Sequence, residues 1–382
     1  MLRTQYREMF PQACQAAYLD TAAEGLPLET SELALAAYFA DKSRGSPGRR
    51  NFYREEEHAR SALGRLLGTD PENVALVPSA SDALNLLANS ITWKPGDEVV
   101  ISDLEFPSGA LAWLRLRDQG VIVRVLASEQ GYISLESFQA AITEKTRIVC
   151  ISHVSYRTGT RISFLRELAD AAHSAGALLV LDATQSLGRL PVALEGIDFL
   201  VASGYKWLLG IHGVSVAYLS PSARDRLSPG SLGWYSVSEI FTPDRFERYE
   251  LKPGAGWIGA GMPPFPSIYV LRRSVEFLLE AGVERIDSEM RPVVAALRHG
   301  IEELGFNLLS PPDPDCASGI VSFSHPDCKG IGARLHEGNV IVWAGDGRVR
   351  ASVHLYNDHS DAERCLQELA LYRQESLCTK RS

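Results

Sequence analysis

Long apolar runs are missing from this sequence of 382 residues. The opening stretch, MLRTQYREMFPQACQAAYLD, has no continuous apolar segment of signal-peptide length, and no later run approaches the roughly 20 apolar residues of a membrane-spanning helix. We therefore expect a cytoplasmic protein that does not cross a membrane.

An excess of basic residues is also missing. Lysine and arginine total 38 against 47 aspartate and glutamate, for a net charge of -9. Proteins that bind nucleic acid usually carry clustered lysine and arginine. Nucleic acid is therefore not an expected partner.

Cysteines are few and scattered. None belongs to a C-x-x-C pair or has histidine companions at zinc-ligand spacing, so the sequence predicts neither a disulfide framework nor a structural metal. The six are Cys14, Cys150, Cys316, Cys328, Cys365 and Cys378.

Short β-branched runs alternate with amphipathic stretches between Val74 and Leu219. This alternation predicts an α/β fold with a mainly parallel sheet, which binds its ligand where the carboxyl ends of the strands meet. No G-x-G-x-x-G follows the first strand, which argues against a nicotinamide-dependent oxidoreductase. The predicted strands are VALV from residue 74, EVVIS from 98, VIVRVL from 121, RIVCIS from 147, ALLVLD from 177, DFLVAS from 198 and VSVAYL from 214.

The pattern changes after Leu219. A region rich in glycine and proline, LKPGAGWIGAGMPPFPS, precedes a helical stretch, and the remainder is typical of a smaller α+β domain. We predict an N-terminal segment at 1–25 that packs with either domain, a large domain at 26–265 and a small C-terminal domain at 266–382.

Polar residues end two of the predicted strands. Asp182 closes ALLVLD, and Lys206 follows DFLVAS; the 15 residues between Asp182 and Asp198 suffice for a parallel crossover, so both strand ends can reach one crevice. A lysine that follows an apolar strand and is flanked by Tyr205 and Trp207 is expected to have an acidic partner, a shifted pKa or a covalent role. Taken singly, Asp182 is also compatible with a helix cap, and Lys206 with a surface lysine whose ammonium group reaches water.

A helix start follows the first strand. PSASDALNLLA places Ala80 and Ser81 where free backbone N–H groups form a phosphate seat, although a plain serine cap also explains Ser79. An aldehyde cofactor with a phosphate and a ring nitrogen needs an amine, a carboxylate and a helix N-terminus. Lys206, Asp182 and this helix start offer all three groups.

Several motifs together resemble one enzyme family. SGYKW, LVLDATQSLG, PSASDALNLLA, ISHVSYRTGT and RVRASVHLYN are similar to motifs of the class V aminotransferase family, whose members include cysteine desulfurases, C–S lyases and isopenicillin N epimerase. The resemblance implies fold type I of the pyridoxal-phosphate-dependent transferases, with a mainly parallel seven-stranded sheet in the large domain. It also implies pyridoxal 5'-phosphate as cofactor and a small amino acid as substrate.

The resemblance implies roles for the residues that match the family motifs. Lys206 matches the Schiff-base lysine, Asp182 the partner of the pyridine nitrogen, and Arg350 the arginine whose planar guanidinium grips the substrate carboxylate. The other matching positions are Gln185 for the phenolic oxygen, Ser203 and Tyr205 with Ala80 and Ser81 for the phosphate, Phe106 for the face of the ring, Tyr156 for the cofactor or substrate, and Ala23 for the substrate.

The sequence departs from the desulfurase pattern at the sulfur acceptor. Desulfurases carry a nucleophilic cysteine shortly before the carboxylate-binding arginine, whereas VIVWAGDGRVR at 340–350 contains none. Sulfur transfer to the protein is therefore not expected at this position. In GAGMPPFP, Met262 stands where the family often has a hydroxyl residue that reaches the phosphate of the neighbouring subunit.

Several reactions are compatible with these residues. We favour β-elimination of a cysteine-derived C–S bond, because it requires no acceptor cysteine; isopenicillin N epimerase-like isomerisation and class V aminotransfer stay open. A catalytically silent scaffold is disfavoured by the presence of Lys206, Asp182 and Arg350. The resemblance also implies a homodimer with its active site at the interface, in which SRGSPGRRNFY at 43–53 either crosses over or forms a solvated basic loop.

Overall fold

The structure is a computed structural model that describes residues 6–379, with side chains described as far as residue 376. Near its N-terminus, the short strand β1, Ala17–Tyr18, pairs in parallel with Val340–Ile341. Arg7 donates hydrogen bonds to both carboxylate oxygens of Asp361 at 2.7 and 2.9 Å. The N-terminal segment therefore contacts the C-terminal part of the chain, while the domain boundaries stay a prediction.

Seven strands form the main sheet, as predicted. They are β2 Val74–Val77, β3 Glu98–Ser102, β4 Ile122–Leu126, β5 Thr146–Ser152, β6 Leu178–Asp182, β7 Phe199–Ser203 and β8 Ser215–Leu219, in the spatial order β2-β8-β7-β6-β5-β3-β4. Only β8 runs antiparallel to its neighbours, β2 and β7. The carboxyl ends of the other six strands therefore lie along one edge of the sheet.

The central strands are buried on both faces, which explains why they are continuously apolar in sequence. Successive residues alternate between two hydrophobic cores: Leu179 and Leu181 pack into one core, and Val180 packs into the other. Helices cover the two faces of the sheet. The helices before the end of β8 are Pro11–Gln15, Ser31–Ser43, Arg49–Leu67, Ala80–Asn89, Pro107–Leu114, Leu135–Ala141 and Leu165–Ser174.

The C-terminal part has the predicted α+β character. Its strands are β9 Asn307–Leu308, β10 Ile320–Ser324, β11 Val340–Ile341, β12 Trp343–Gly345 and β13 Arg348–Ser352. Four of them form an antiparallel sheet of the order β12-β13-β10-β9, and β11 pairs with β1. The helices that follow β8 along the chain are Pro221–Arg224, Phe265–Ala281, Val283–Glu303, Cys328–Glu337 and His359–Thr379. Of these, Phe265–Ala281 packs against helices Ser31–Ser43 and Arg49–Leu67 of the N-terminal part.

No helix within residues 6–379 is both long and apolar enough to cross a bilayer. Within the same residues, no group of three or more histidine, cysteine, aspartate or glutamate side chains is placed to hold a metal ion. Five cysteines are free thiols, and the side chain of Cys378 lies outside the described part.

Candidate active site

The carboxyl ends of β2, β3, β5, β6 and β7 meet at one pocket of about 120 Å³. A larger surface cavity of about 390 Å³ beside Tyr53, Trp234 and Lys252 contains none of the predicted site residues, so volume alone does not locate the site. The residues that line the smaller pocket are Ser79, Ala80, Ser81, Phe106, Ser108, Ser152, Val154, Tyr156, Asp182, Thr184, Gln185, Ser203, Tyr205 and Lys206. Nine of the eleven predicted site residues thus line one pocket.

Lys206 follows β7 and is buried, with only 7% of its surface exposed. Its Nζ lies 5.2 Å from the centre of the Phe106 ring and 5.6 Å from that of Tyr205. Burial lowers the pKa of this amine to about 8, although the charge of Asp182 opposes that shift. A lysine with this pKa is partly neutral near physiological pH and can act as a nucleophile or a base.

The backbone around Lys206 is held by the N-terminal segment. The Gly25 N–H donates to the Tyr205 carbonyl oxygen at 2.9 Å. A Cβ atom on Gly25 would lie 1.9 Å from the Lys206 carbonyl oxygen, so only glycine allows the two chains to approach this closely. The conformation of the Lys206 loop therefore depends on the AAEGLP stretch, which is remote in sequence.

Asp182 is the last residue of β6 and is also buried. Its Oδ1 accepts a hydrogen bond from the Thr184 N–H at 2.9 Å. Burial raises the pKa of this carboxyl group, while the Thr184 hydrogen bond and the Lys206 charge oppose the shift. A cationic N–H group placed beside Asp182 would favour the ionised carboxylate further.

Gln185 is fixed at both ends of its amide. Its Nε2 donates to the Ala22 carbonyl oxygen at 3.1 Å, and its Oε1 accepts from the Trp207 indole N–H at 2.7 Å. Trp207 is fully buried directly after Lys206. These bonds determine which way the amide points, so its remaining Nε2 hydrogen has a fixed direction.

The predicted phosphate seat lies at the start of helix Ala80–Asn89. Ser79 Oγ accepts a hydrogen bond from the Asp82 N–H at 3.1 Å, so the serine is indeed the helix cap. Ser81 Oγ lies 2.7 Å from Ser108 Oγ across the pocket. A capped helix start still presents N–H groups that lack intrahelical partners, so the cap and the anion seat are compatible.

Phe106 and Tyr156 form an edge-to-face pair at the pocket. Their ring centres are 5.1 Å apart, with an angle of 88° between the planes. Phe106 is 41% exposed and lines the pocket, so part of its ring is accessible to a flat ligand.

Arg350, on β13, lies next to the pocket rather than on its wall. Its Nη1 donates to the Tyr156 carbonyl oxygen at 3.0 Å, and its Nη2 lies 3.7 Å from Asp20 Oδ1. Burial lowers the pKa of Arg350 to about 10 and raises that of Asp20 to about 7. Asp20 was missed by the sequence analysis, whereas Ala23, which was predicted, does not line the pocket.

Glu105 is a second residue that the sequence analysis missed. Its carboxylate accepts hydrogen bonds from Ser102 Oγ and Ser152 Oγ, both at 2.6 Å, and thereby joins the ends of β3 and β5. Burial raises its pKa to about 7; the serine hydroxyls oppose this shift, and the charge of Asp182 adds to it. An acid placed three residues after a strand with an apolar centre, in EVVISDLEF, is the signal that marks it.

Glu105 should make the protein less stable as the pH rises. Because its pKa is raised on folding from 4.5 to about 7, its stabilising contribution is complete below about pH 4.5 and is lost as the pH passes 7. We expect Glu105→Gln to remove up to about 3 kcal/mol of the difference in unfolding free energy between pH 5 and pH 8. Urea denaturation at both pH values measures this; Glu57→Gln, at an exposed site, is the control. An unchanged pH dependence in Glu105→Gln would contradict this account.

The chain is similar to known proteins over nearly its whole length. A family model described as Aminotransferase class-V matches residues 18–365. An uncharacterized aminotransferase of Bacillus subtilis, YcbU, is 27% identical over 97% of this chain and 98% of the relative. A probable cysteine desulfurase of Methanothermobacter thermautotrophicus is 29% identical over 83% and 84% of the two chains. The isopenicillin N epimerase of Streptomyces clavuligerus is 30% identical over 70% of each.

Solved structures show the same fold. A cysteine desulfurase from Thermococcus onnurineus NA1 has a TM-score of 0.88 at 24% identity, covering 96% of this chain and 97% of that one. A cystine C–S lyase, solved with its product cysteine persulfide, has a TM-score of 0.87 at 20% identity, covering 94% and 99%. These likenesses confirm the predicted fold type I. With the family model spanning most of the sequence, the chain belongs to the aminotransferase class-V family and is a pyridoxal-phosphate-dependent enzyme.

Proposed function

We propose that the enzyme cleaves the C–S bond of a cysteine-derived amino acid by β-elimination and releases the sulfur group to solvent. The observation that carries this proposal is the composition of the pocket: no cysteine is among the described residues that line it, and none occurs in 340–350. Cys150 is buried in the sheet, where its thiol faces the Gly109 carbonyl oxygen. Without an acceptor thiol, the sulfur leaves with its substituent.

The pocket residues fit pyridoxal 5'-phosphate. Lys206 would bond the aldehyde, Asp182 would hold the proton of the ring nitrogen, and Phe106 would stack on the ring. When bound, the cofactor supplies an electron-accepting ring that stabilises negative charge on the substrate α-carbon. The remaining contacts that we propose are Gln185 to the phenolic oxygen, and Ala80, Ser81, Ser203 and Tyr205 to the phosphate.

Lys206 and Arg350 would have different roles toward the substrate: Arg350 would bind it, and Lys206 would transfer its proton. Arg350 binds the α-carboxylate with its planar guanidinium. Its side chain is buried beside Tyr156, and its Nε has no hydrogen-bond partner in the described part of the chain, so this donor is available to the substrate. The substrate amino group would first replace Lys206 on the aldehyde, and the freed Lys206 amine, with a pKa of about 8, would then remove the α-proton. The resulting ammonium can then donate that proton to the departing sulfur, so one residue serves as base and acid.

Two other reactions stay as alternatives. The similarity to isopenicillin N epimerase favours an isomerase, in which the α-carbon would be reprotonated on its opposite face. The similarity to an uncharacterized aminotransferase favours amino-group transfer. Both would use Lys206 and Arg350 in the same positions, and both would keep the β-substituent, so loss of that substituent distinguishes the lyase from either alternative.

A panel of L-amino acids and S-substituted cysteines tests the proposed reaction. We expect the purified holoenzyme to form pyruvate, ammonia and the released thiol in equal amounts from at least one S-substituted cysteine, without racemising the remaining substrate. Exchange of the α-proton for deuterium without pyruvate would instead support the isomerase. Consumption of a 2-oxo acid with formation of a new amino acid would support aminotransfer, and either result would overturn the lyase.

We further propose that the enzyme is a cytoplasmic homodimer with its active site at the interface. Leu33 and Phe39, both on helix Ser31–Ser43, are about two-thirds exposed, as is usual for side chains that a second subunit covers. The 43–53 segment begins at the end of this helix and continues into helix Arg49–Leu67. It remains the segment that we expect to contribute to the neighbouring site.

A further inference from the structure

Strand β13 carries a second buried arginine beside the one that was predicted. Arg348 and Arg350 are two residues apart, so their side chains leave the strand on the same face. They are 2% and 4% exposed, respectively. Two guanidinium groups are therefore buried side by side next to the pocket.

The two arginines share aromatic neighbours. The guanidinium carbons of Arg348 and Arg350 lie 4.5 and 5.4 Å from the centre of the Trp343 ring, on the adjacent strand β12. Arg348 also lies 5.3 Å from the ring of Tyr156, whose carbonyl oxygen accepts the Arg350 hydrogen bond. Because Tyr156 lines the pocket, both arginines are one residue away from the space that a substrate would occupy.

Nearby acids compensate these cations incompletely. Asp20 lies 3.7 Å from Arg350, and its raised pKa of about 7 leaves it partly protonated at neutral pH. Asp346, the ion-pair partner of Arg348, is 70% exposed and is therefore screened by water. The Nε atoms of both arginines are buried without a hydrogen-bond partner in the described part of the chain. Unused buried donors next to a pocket are available for an anionic ligand.

We propose that Arg348 is a specificity-determining residue that binds a second acidic group, so that the substrate is an amino acid with an anionic side chain. Arg350 holds the α-carboxylate, and Arg348 holds a carboxylate or a sulfur oxyanion carried by the β-substituent. The proposal rests on the proposed function because it assigns the α-carboxylate to Arg350. The planar fork of each guanidinium, which lies over the Trp343 ring, suits recognition of two such groups.

Binding of unreactive acids to the holoenzyme tests this proposal without turnover. Succinate and glutarate carry two carboxylates, whereas propionate and butyrate carry one, and the dissociation constants can be obtained from tryptophan fluorescence or from the shift in melting temperature. We expect the wild-type enzyme to bind one of the dicarboxylates about tenfold or more tightly than the matching monocarboxylate, as a charged hydrogen bond implies. Equal affinities in the wild-type enzyme would overturn the proposal.

Variants of Arg348 locate the effect. In Arg348→Met the ratio of the two affinities should fall to about one, and Arg348→Lys, which keeps the charge but loses the fork, should give an intermediate ratio. Arg373→Met, which removes an arginine that lies over the Phe306 ring and does not line the pocket, should keep the wild-type ratio. An undiminished ratio in Arg348→Lys and Arg348→Met would exclude Arg348 as its source; where Arg348→Met does not fold, Arg348→Lys alone decides.

The same samples separate this proposal from the reaction that it extends. A dicarboxylate preference in an enzyme that forms no pyruvate would reject the lyase and leave the role of Arg348 intact. Pyruvate formation without any dicarboxylate preference would support the lyase and reject the role of Arg348. Among the S-substituted cysteines, we expect the wild-type enzyme to have a lower KM for S-carboxymethylcysteine than for S-methylcysteine. In Arg348→Met, the two KM values should become similar.

Discussion

Lys206→Ala should abolish the visible absorption of the bound cofactor and lower turnover by at least a factor on the order of 10²–10⁴. The variant removes the amine that we assign both to the covalent bond and to proton transfer. The variant should still fold. Burial of the wild-type amine is unfavourable, as its lowered pKa of about 8 shows, and the substitution removes this unfavourable burial. Absorption spectra of dialysed protein and the rate of pyruvate formation measure the two effects.

A matched lysine variant serves as the control for this experiment. Lys252 lies over the ring of Tyr235, in the larger surface cavity and outside the candidate active site. Lys252→Ala should keep both the spectrum and the turnover. An intact cofactor spectrum after dialysis of Lys206→Ala would show that another residue holds the cofactor.

Asp182→Asn should lower kcat by a factor of about 10²–10³, which corresponds to about 2.7–4 kcal/mol of lost transition-state stabilisation. The neutral amide cannot keep a ring nitrogen protonated, so negative charge on the substrate α-carbon would lose its stabilising counterpart. The cofactor should remain bound, because Lys206, Phe106 and the helix at Ala80 are unchanged. Steady-state kinetics and the visible spectrum of the same sample separate these two expectations.

Asp198→Asn provides the corresponding control. Asp198 is buried at the start of the Phe199–Ser203 strand, at the opposite edge of the sheet, where it contacts His173 and the Leu179 N–H. Its replacement should affect stability rather than the kcat of the folded enzyme. If Asp182→Asn lowered kcat no more than Asp198→Asn, the assignment of Asp182 to the ring nitrogen would be wrong.

The sheet and most of the pocket could be predicted from the sequence for one physical reason. Strands buried on both faces are continuously apolar, so a polar residue such as Asp182 at the end of one is conspicuous. All seven predicted strands occur, within two residues of their predicted ends. The antiparallel direction of Ser215–Leu219 was not predicted, because a buried strand has the same composition in either direction.

The missed residues depend on contacts between distant parts of the chain. Asp20 reaches Arg350 because the N-terminal segment pairs with Val340–Ile341, and strands of two residues leave no pattern in a sequence. Glu105 acquires its role only when Ser152 comes within hydrogen-bonding distance. The importance of Arg348 likewise follows from its position next to Trp343 and Tyr156, not from a motif.

Peptide mapping of the holoenzyme after borohydride reduction tests the central claim most directly. Reduction fixes the cofactor to the amine that holds it, and mass spectrometry then identifies the modified lysine. We predict one modified peptide, with the label on Lys206 in the SGYKW motif. A label on any other lysine, or reduced protein without a label, would contradict the assignment of this pocket as the active site.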